Sequence, residues 1–321
     1  MSLNKNKTVK IIVPCYNEGG NIDAFFKAVC EVTSAQSGYD FGYIFVDDGS
    51  TDNTLDEIKK LAEKDKTVNY ISFSRNFGKE SAMYAGLKAS RDARSDYAII
   101  MDADLQHPPA LIDEMIKVIE ETGCDSCAAR RVSRKGEPRI RSILARAFYK
   151  IMNRFSDIEV IDGAVDFRML SGKMVKAIVD MPETQRFSKG IFAWVGFHTE
   201  WIEFENVERI EGESKWSMWG LTKYAIAGFL DFAASPLKAV GVFGSLTSLG
   251  ALIYLVIEIL KTMIVGKDVP GYASIISLIL FFGGLITAVL SVMGEYIGRM
   301  YMETKGRPIF IEKESNLDEQ N

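Results

Sequence analysis

The sequence predicts an α/β protein, a mostly parallel sheet flanked by helices, followed by a hairpin of two membrane-crossing helices. Strand and helix signals alternate four times before residue 125, the pattern of a sheet covered by crossover helices. Charge is frequent up to Lys238 and then nearly vanishes: 239–260 holds only Glu258, and 273–294 holds no charged residue. As helix each run spans roughly 33 Å, enough for a hydrocarbon core of about 30 Å.

The first strand is read at 9–14 (VKIIVP), and Asn21 precedes a helix with Ile22, Phe25, Phe26 and Val29 on one face. The strand GYIFVD at 42–47 leads to a helix carrying Leu55, Ile58, Leu61 and Ala62. VNYISFS at 68–74, a helix through the eighties, YAIIM at 97–101 and a helix from Pro109 to about Thr122 complete the alternation. In open sheets of this kind ligands sit beyond the carboxyl ends of the strands. The loops to inspect are therefore 15–20, 47–51, 75–79 and 102–109.

Composition bounds the rest. The 321 residues are 47% hydrophobic and 25% charged, with a formal net charge of −5, which gives no sign of nucleic-acid binding. No signal peptide precedes Thr8, so the N-terminal part is expected in the cytosol. Lysines and arginines flank the two apolar runs (Lys215, Lys223, Lys238; Arg299, Lys305, Arg307, Lys313) against Lys261 and Lys267 in the intervening turn, which favours both termini inside. Cys124 and Cys127 lack a second pair to complete a zinc site, and with Cys15 and Cys30 they read as reduced packing residues.

The four loops are polar. In MDADLQHPP (101–109) Asp102 and Asp104 are spaced to face one side of an extended segment, where two carboxylates can converge on one hard cation, and Pro108 and Pro109 stop the strand. DDGSTDNT (47–54) combines a turn at Gly49 with helix-capping hydroxyls, and offers Asp47 or Asp48 as acceptor for a base imide or ribose hydroxyls. Its plainer reading is a well-capped strand-to-helix turn. RNFGKESA (75–82) sets Arg75 and Lys79 around Gly78, near phosphate or base. The run 130–141 carries Arg130, Arg131, Arg134, Lys135, Arg139 and Arg141, which suits two anions in one site, a solvated loop or anionic lipid head groups. Between the globular part and the first apolar run, 215–236 holds Trp216, Trp219, Tyr224, Phe229 and Phe232, a ring-rich segment that suits the membrane interface, with an ordinary packed helix as the alternative.

The ordered set P-x-Y-N-E at 14–18, VDDGSTDNT at 46–54, SRNFGKESA at 74–82 and MDADLQHPP at 101–109 resembles family 2 glycosyltransferases of the GT-A fold. The subgroup that moves one sugar to a polyprenyl phosphate fits best, including dolichol-phosphate mannose synthase and the bactoprenol glucosyltransferases. The resemblance runs from about Val9 to Arg307. It implies a nucleotide-sugar donor, Mg²⁺ or Mn²⁺ and inversion at the anomeric carbon. Carried over by motif, Asp47 and Asp48 grip the nucleoside with Pro14, Tyr16 and Glu18, while Asp102 and Asp104 hold metal and diphosphate with Gln106 close behind. GAVDFRMLS (163–171) resembles the segment with an essential acid, Asp166, with Arg168 beside it. RIEGESKWS (209–217) resembles the donor-phosphate segment, offering Arg209, Ser214 and Lys215. Trp194 lies too far from Arg186 for the Gln-x-x-Arg-Trp motif of processive synthases, so a single transfer is expected.

The expected organisation is a cytosolic GT-A domain over 1–214, an interfacial segment over 215–236, a transmembrane hairpin over 237–298 and a cytosolic tail over 299–321, in the cytoplasmic membrane. Expected partners are the nucleotide-sugar, the polyprenyl phosphate and membrane lipids, with a homo-oligomer left open. The favoured reaction is glucose transfer from a UDP-sugar to undecaprenyl phosphate; another donor, such as GDP-mannose, UDP-N-acetylhexosamine or UDP-aminoarabinose, and a non-catalytic lipid-binding scaffold are the alternatives.

Overall fold

The computed structural model describes residues 6–132, 153–154, 158–181, 183–205, positions scattered through 244–264, and 271–317. They fall into two compact units, one within 1–229 and 308–321, the other within 230–307.

The larger unit is built on β1 (Lys7–Cys15), β2 (Tyr39–Asp47), β3 (Val68–Phe73), β4 (Tyr97–Ile100), β5 (Ser126–Arg131), β6 (Ala164–Ser171), β7 (Thr199–Phe204) and β8 (Glu312–Ser315). They form one sheet in the order β7-β5-β6-β4-β1-β2-β3-β8. The pairs β1–β2, β1–β4, β2–β3 and β5–β7 are parallel, as the alternation predicts. The expectation of a mostly parallel sheet needs correction at β6 and β8: β6 runs antiparallel to β4 and β5, and β8 antiparallel to β3. The sheet is mixed.

Helices α1 (Ile22–Thr33), α2 (Thr54–Lys64) and α4 (Leu111–Thr122) cover one face, and α3 (Lys79–Asp92) with α5 (Gly172–Val179) the other. The period of two along each strand divides the core. Ile11, Val13, Tyr43 and Phe45 pack with Phe25, Ile58 and Met115 on the first face, whereas Ile44 and Val46 meet Ala82, Ala85 and Ala89 of α3 on the second. Because both faces are covered, the central strands are continuous apolar runs instead of alternating ones. Gly86 lets α3 lie close on the sheet, since a methyl group there would strike the Ile12 side chain.

The tail expected after residue 299 does not end as a tail. Helix α7 (Tyr272–Thr304) is followed by Phe310, which stacks on Phe73, and by β8, which extends the sheet beyond β3. Asn316 Oδ1 accepts from Tyr70 N–H at 2.7 Å, and Lys59 pairs with Glu314 at 2.6 Å. An edge of unpaired backbone groups is thereby satisfied by the C-terminal segment.

In the second unit the described residues include one helical stretch long and apolar enough to cross a membrane, Phe281–Thr304, none of it buried within the protein. Most of the turn expected at 265–272, the segment 215–236 and most of the first expected span lie outside the described residues.

Candidate active site

The site forms where β1, β2, β3 and β4 end. Two of its loops clasp one another: Asn17, at φ +54°, donates its N–H to Ser50 Oγ at 3.0 Å, and its Oδ1 accepts from Thr51 N–H at 2.8 Å. Glu18 N–H donates to Thr54 Oγ1 at 2.8 Å, and Asn21 Nδ2 donates to Glu18 Oε2 at 2.7 Å. Pro14 is buried at the end of β1, while Tyr16 is exposed beside it.

Asp47 and Asp48 are both buried and both held by the chain itself. Asp47 accepts from Ser50 N–H at 3.0 Å and Ser72 Oγ at 2.8 Å. Asp48 accepts from Phe77 N–H at 2.6 Å and Gly78 N–H at 2.9 Å, tying the β2 loop to the loop that opens α3. Burial pushes the Asp48 carboxyl up to about 6, against the pull of those two N–H donors. The crossing of the two loops needs Gly49, at φ +65°, because a Cβ there would sit 2.7 Å from Asn76 N and closer still to the Arg75 backbone.

The paired-aspartate loop departs from a simple extended segment. Strand β4 ends at Ile100, the chain turns at Ala103–Asp104, and Leu105 takes φ +54°. Buried Ala103 anchors the turn and leaves Asp102 and Asp104 partly exposed on either side. Gln106 N–H donates to Asp104 Oδ1 at 3.1 Å, which orients that carboxylate. His107 is buried between Phe167 and Phe204, ring centroids 5.5 Å from each, and desolvation lowers its affinity for a proton.

Asp166 reaches the same place through sheet register. Antiparallel pairing sets Ile100 opposite Arg168, and Asp102 and Asp166 each lie two residues beyond that pair. The Lys79 ammonium lies between them, 2.7 Å from Asp102 Oδ1, 2.9 Å from Asp102 Oδ2 and 2.8 Å from Asp166 Oδ2. Burial alone would raise the Asp166 carboxyl; Lys79, Lys189 and Arg168 reverse that and hold it well below the usual carboxylate range. The Lys79 ammonium is correspondingly held charged, its two carboxylates outweighing its own burial. Arg168 is buried, its guanidinium 3.9 Å from the Phe192 ring centroid and hydrogen-bonded to Val165 O, and desolvation lowers it to about 10.

Two residues not singled out in the sequence support this cluster. Lys189, on α6 (Ser188–Trp194), donates to Ala164 O at 2.8 Å and adds positive charge near Asp166. Glu80 accepts from the N–H and hydroxyl of Ser188, fastening α6 to the start of α3. Glu80 lies within the motif at 74–82, and Lys189 within the run 185–197. Arg130 is engaged by Asp162 O at 3.1 Å and faces Glu203 at 3.8 Å, and Arg131 N–H donates to Gly163 O. Arg134, Lys135, Arg139, Arg141, Arg209, Ser214 and Lys215 lie outside the described residues.

Comparison with known proteins gives the family. Residues 10–179 match the family described as glycosyl transferase family 2. CsbB of Bacillus subtilis (strain 168), provisionally named a glycosyltransferase, is 42% identical over 98% of this chain and 93% of its own length. The prophage bactoprenol glucosyl transferase homolog of Escherichia coli (strain K12) is 39% identical over 95% of this chain and 98% of its own. The SfII prophage-derived bactoprenol glucosyl transferase of Shigella flexneri is 37% identical over 96% and 98%. This chain belongs to glycosyl transferase family 2, and it is a glycosyltransferase with an α/β fold.

Proposed function

We propose that the protein transfers one glucose from a nucleotide diphosphate sugar to a polyprenyl phosphate at the cytoplasmic face of a membrane, with inversion at the anomeric carbon. The observation that carries this reading is Lys79 joining Asp102 to Asp166, because it brings the diphosphate loop and the acid of β6 to one point. The acceptor chemistry is taken from the relatives named bactoprenol glucosyl transferases.

In the proposed reaction an oxygen of the lipid phosphate attacks the sugar C1 and the bond from C1 to the nucleotide diphosphate breaks. The phosphate is already anionic at neutral pH, so no general base is required. Asp166, held ionised by the cations around it, is a positioning group for the acceptor or for Lys79. Asp47 and Asp48 act through the loops they fasten, shaping the nucleoside pocket that Pro14, Tyr16 and Glu18 line.

The residues at β4 fit a divalent metal. Asp102 and Asp104 offer hard oxygen donors, and among the described residues no group of three or more metal-ligating side chains encloses an ion. A site with one or two carboxylates that leaves other positions to phosphate oxygens and water is the arrangement Mg²⁺ favours, and Mn²⁺ shares its oxygen ligands. When bound, the metal would offset the charge developing on the leaving diphosphate. Arg209, Ser214 and Lys215 are assigned to the same leaving group from the sequence motif.

We also assign two membrane spans. Strand β8 joins the same sheet as β1, so the chain leaves the globular unit and returns to it. A chain whose two ends fold together on one side of a bilayer crosses it an even number of times. With α7 as one span, 239–260 supplies the other, and 215–236 the interfacial approach.

The test is transfer of radiolabelled sugar by the purified full chain to undecaprenyl phosphate with a panel of donors: UDP-glucose, GDP-mannose, UDP-N-acetylhexosamine and UDP-aminoarabinose. Preferred turnover of UDP-glucose is expected. Turnover of none overturns the reading, and preference for another donor replaces the sugar.

A further inference from the structure

We infer that Lys79 is a built-in counter-cation, one that holds Asp102 and Asp166 together in the metal-free enzyme and releases Asp102 when the divalent ion arrives. The inference rests on the metal assignment above and adds an exchange step to it. Its basis is geometric. Both oxygens of Asp102 lie within 2.9 Å of the same ammonium, which also holds Asp166 at 2.8 Å. An ion taking an Asp102 oxygen would stand beside that ammonium, and two cations on one carboxylate repel. One must move.

Lys79 is able to. Its backbone opens α3 directly after Gly78, whose N–H is fixed on Asp48, but the charge sits at the end of a four-carbon stem and the side chain keeps 34% of its surface exposed. Without it, the carboxylates of Asp102 and Asp166 would face each other with only the charges of Lys189 and Arg168 near Asp166 to offset them. The lysine thus keeps the site assembled before donor binding. Once displaced, its positive charge is available to the diphosphate that arrives with the metal or to the acceptor phosphate.

The experiment is Mn²⁺ binding to the full chain in detergent without nucleotide, read from the electron paramagnetic resonance of the free ion. Lys79→Gln should bind Mn²⁺ about tenfold more tightly than the wild type, because a competing charge is gone. Lys189→Gln, which removes a neighbouring charge that does not touch Asp102, should change the affinity far less. Unchanged or weaker binding in Lys79→Gln overturns the inference, as does an equal gain in Lys189→Gln. If Lys79→Gln does not fold, acylation of the wild-type lysines read by mass spectrometry replaces it: labelling of Lys79 should rise on adding Mn²⁺ and UDP, and no rise overturns the exchange. Absence of Mn²⁺ binding to the wild type even with UDP would instead overturn the metal assignment itself.

Discussion

Phe310 lies stacked on Phe73, ring centroids 4.7 Å apart and 20° from parallel, so the segment after the long apolar helix is part of the core against which the site loops rest. Phe73 also meets Phe77 edge-on at 5.8 Å, and Phe77 N–H holds Asp48. Ser74 N–H donates to Ile311 O at 3.0 Å beside them. Truncating the ring removes an aromatic stack and opens a partly solvated gap. Phe310→Ala should cost about 2 kcal/mol of stability, seen as a lower Tm of the full chain, with a weaker affinity for nucleotide.

Gly49 should tolerate no side chain. Its positive φ and the approach of the Arg75–Asn76 backbone act together, so Gly49→Ala should destabilise by about 2 kcal/mol or more. Isothermal titration with UDP should show a larger loss of affinity than the change in Tm alone would suggest, since the β2 loop and the loop opening α3 can no longer cross.

Asp48 should leave a signature in stability against pH. Its folded value of about 6 exceeds the usual carboxylate value of about 3.9, so the folded state binds more protons between these limits. Its contribution is complete below about pH 4 and is lost as pH rises through about 6. Thermal melts should show this fall in the wild type and a flatter profile over the same window in Asp48→Asn.

Asp166 should behave oppositely. A carboxyl held below its usual value contributes stability above about pH 4, which is lost as the pH falls further. Activity should therefore show no titration assignable to this group from about pH 6 to about pH 9. Asp166→Asn should lose most of kcat with little change in donor affinity. A large loss of nucleotide binding would move this residue into the donor pocket.

Chelation should stop turnover, and Mg²⁺ or Mn²⁺ should restore it. Asp104→Asn should cripple turnover by roughly a hundredfold or more while the melting profile stays close to wild type, because the side chain is partly exposed and the amide keeps its size. Full activity in excess EDTA would remove the metal from the reaction.

Much was legible in the residues themselves. The apolar runs of β1, β2 and β4, the helix faces with Phe25 or Ile58 inward, the four polar loops and the uncharged run within α7 are local patterns with periods of 2 or 3.6 residues, and the motifs in those loops named the family. The tertiary structure alone decided how distant pieces meet. Asp166 reaches the same lysine as Asp102 because β6 pairs antiparallel to β4 in one particular register, and a one-residue slip would have turned it to the opposite face. Lys79 bridges the two because α3 begins above that point, and Asp47 and Asp48 turn inward to fasten loops because the donors they face come from Ser72, Phe77 and Gly78. The mixed sheet and the return of β8 to the β3 edge have the same cause. Each is a pairing across tens to hundreds of residues, and local periodicity carries no information about strand order, direction or register.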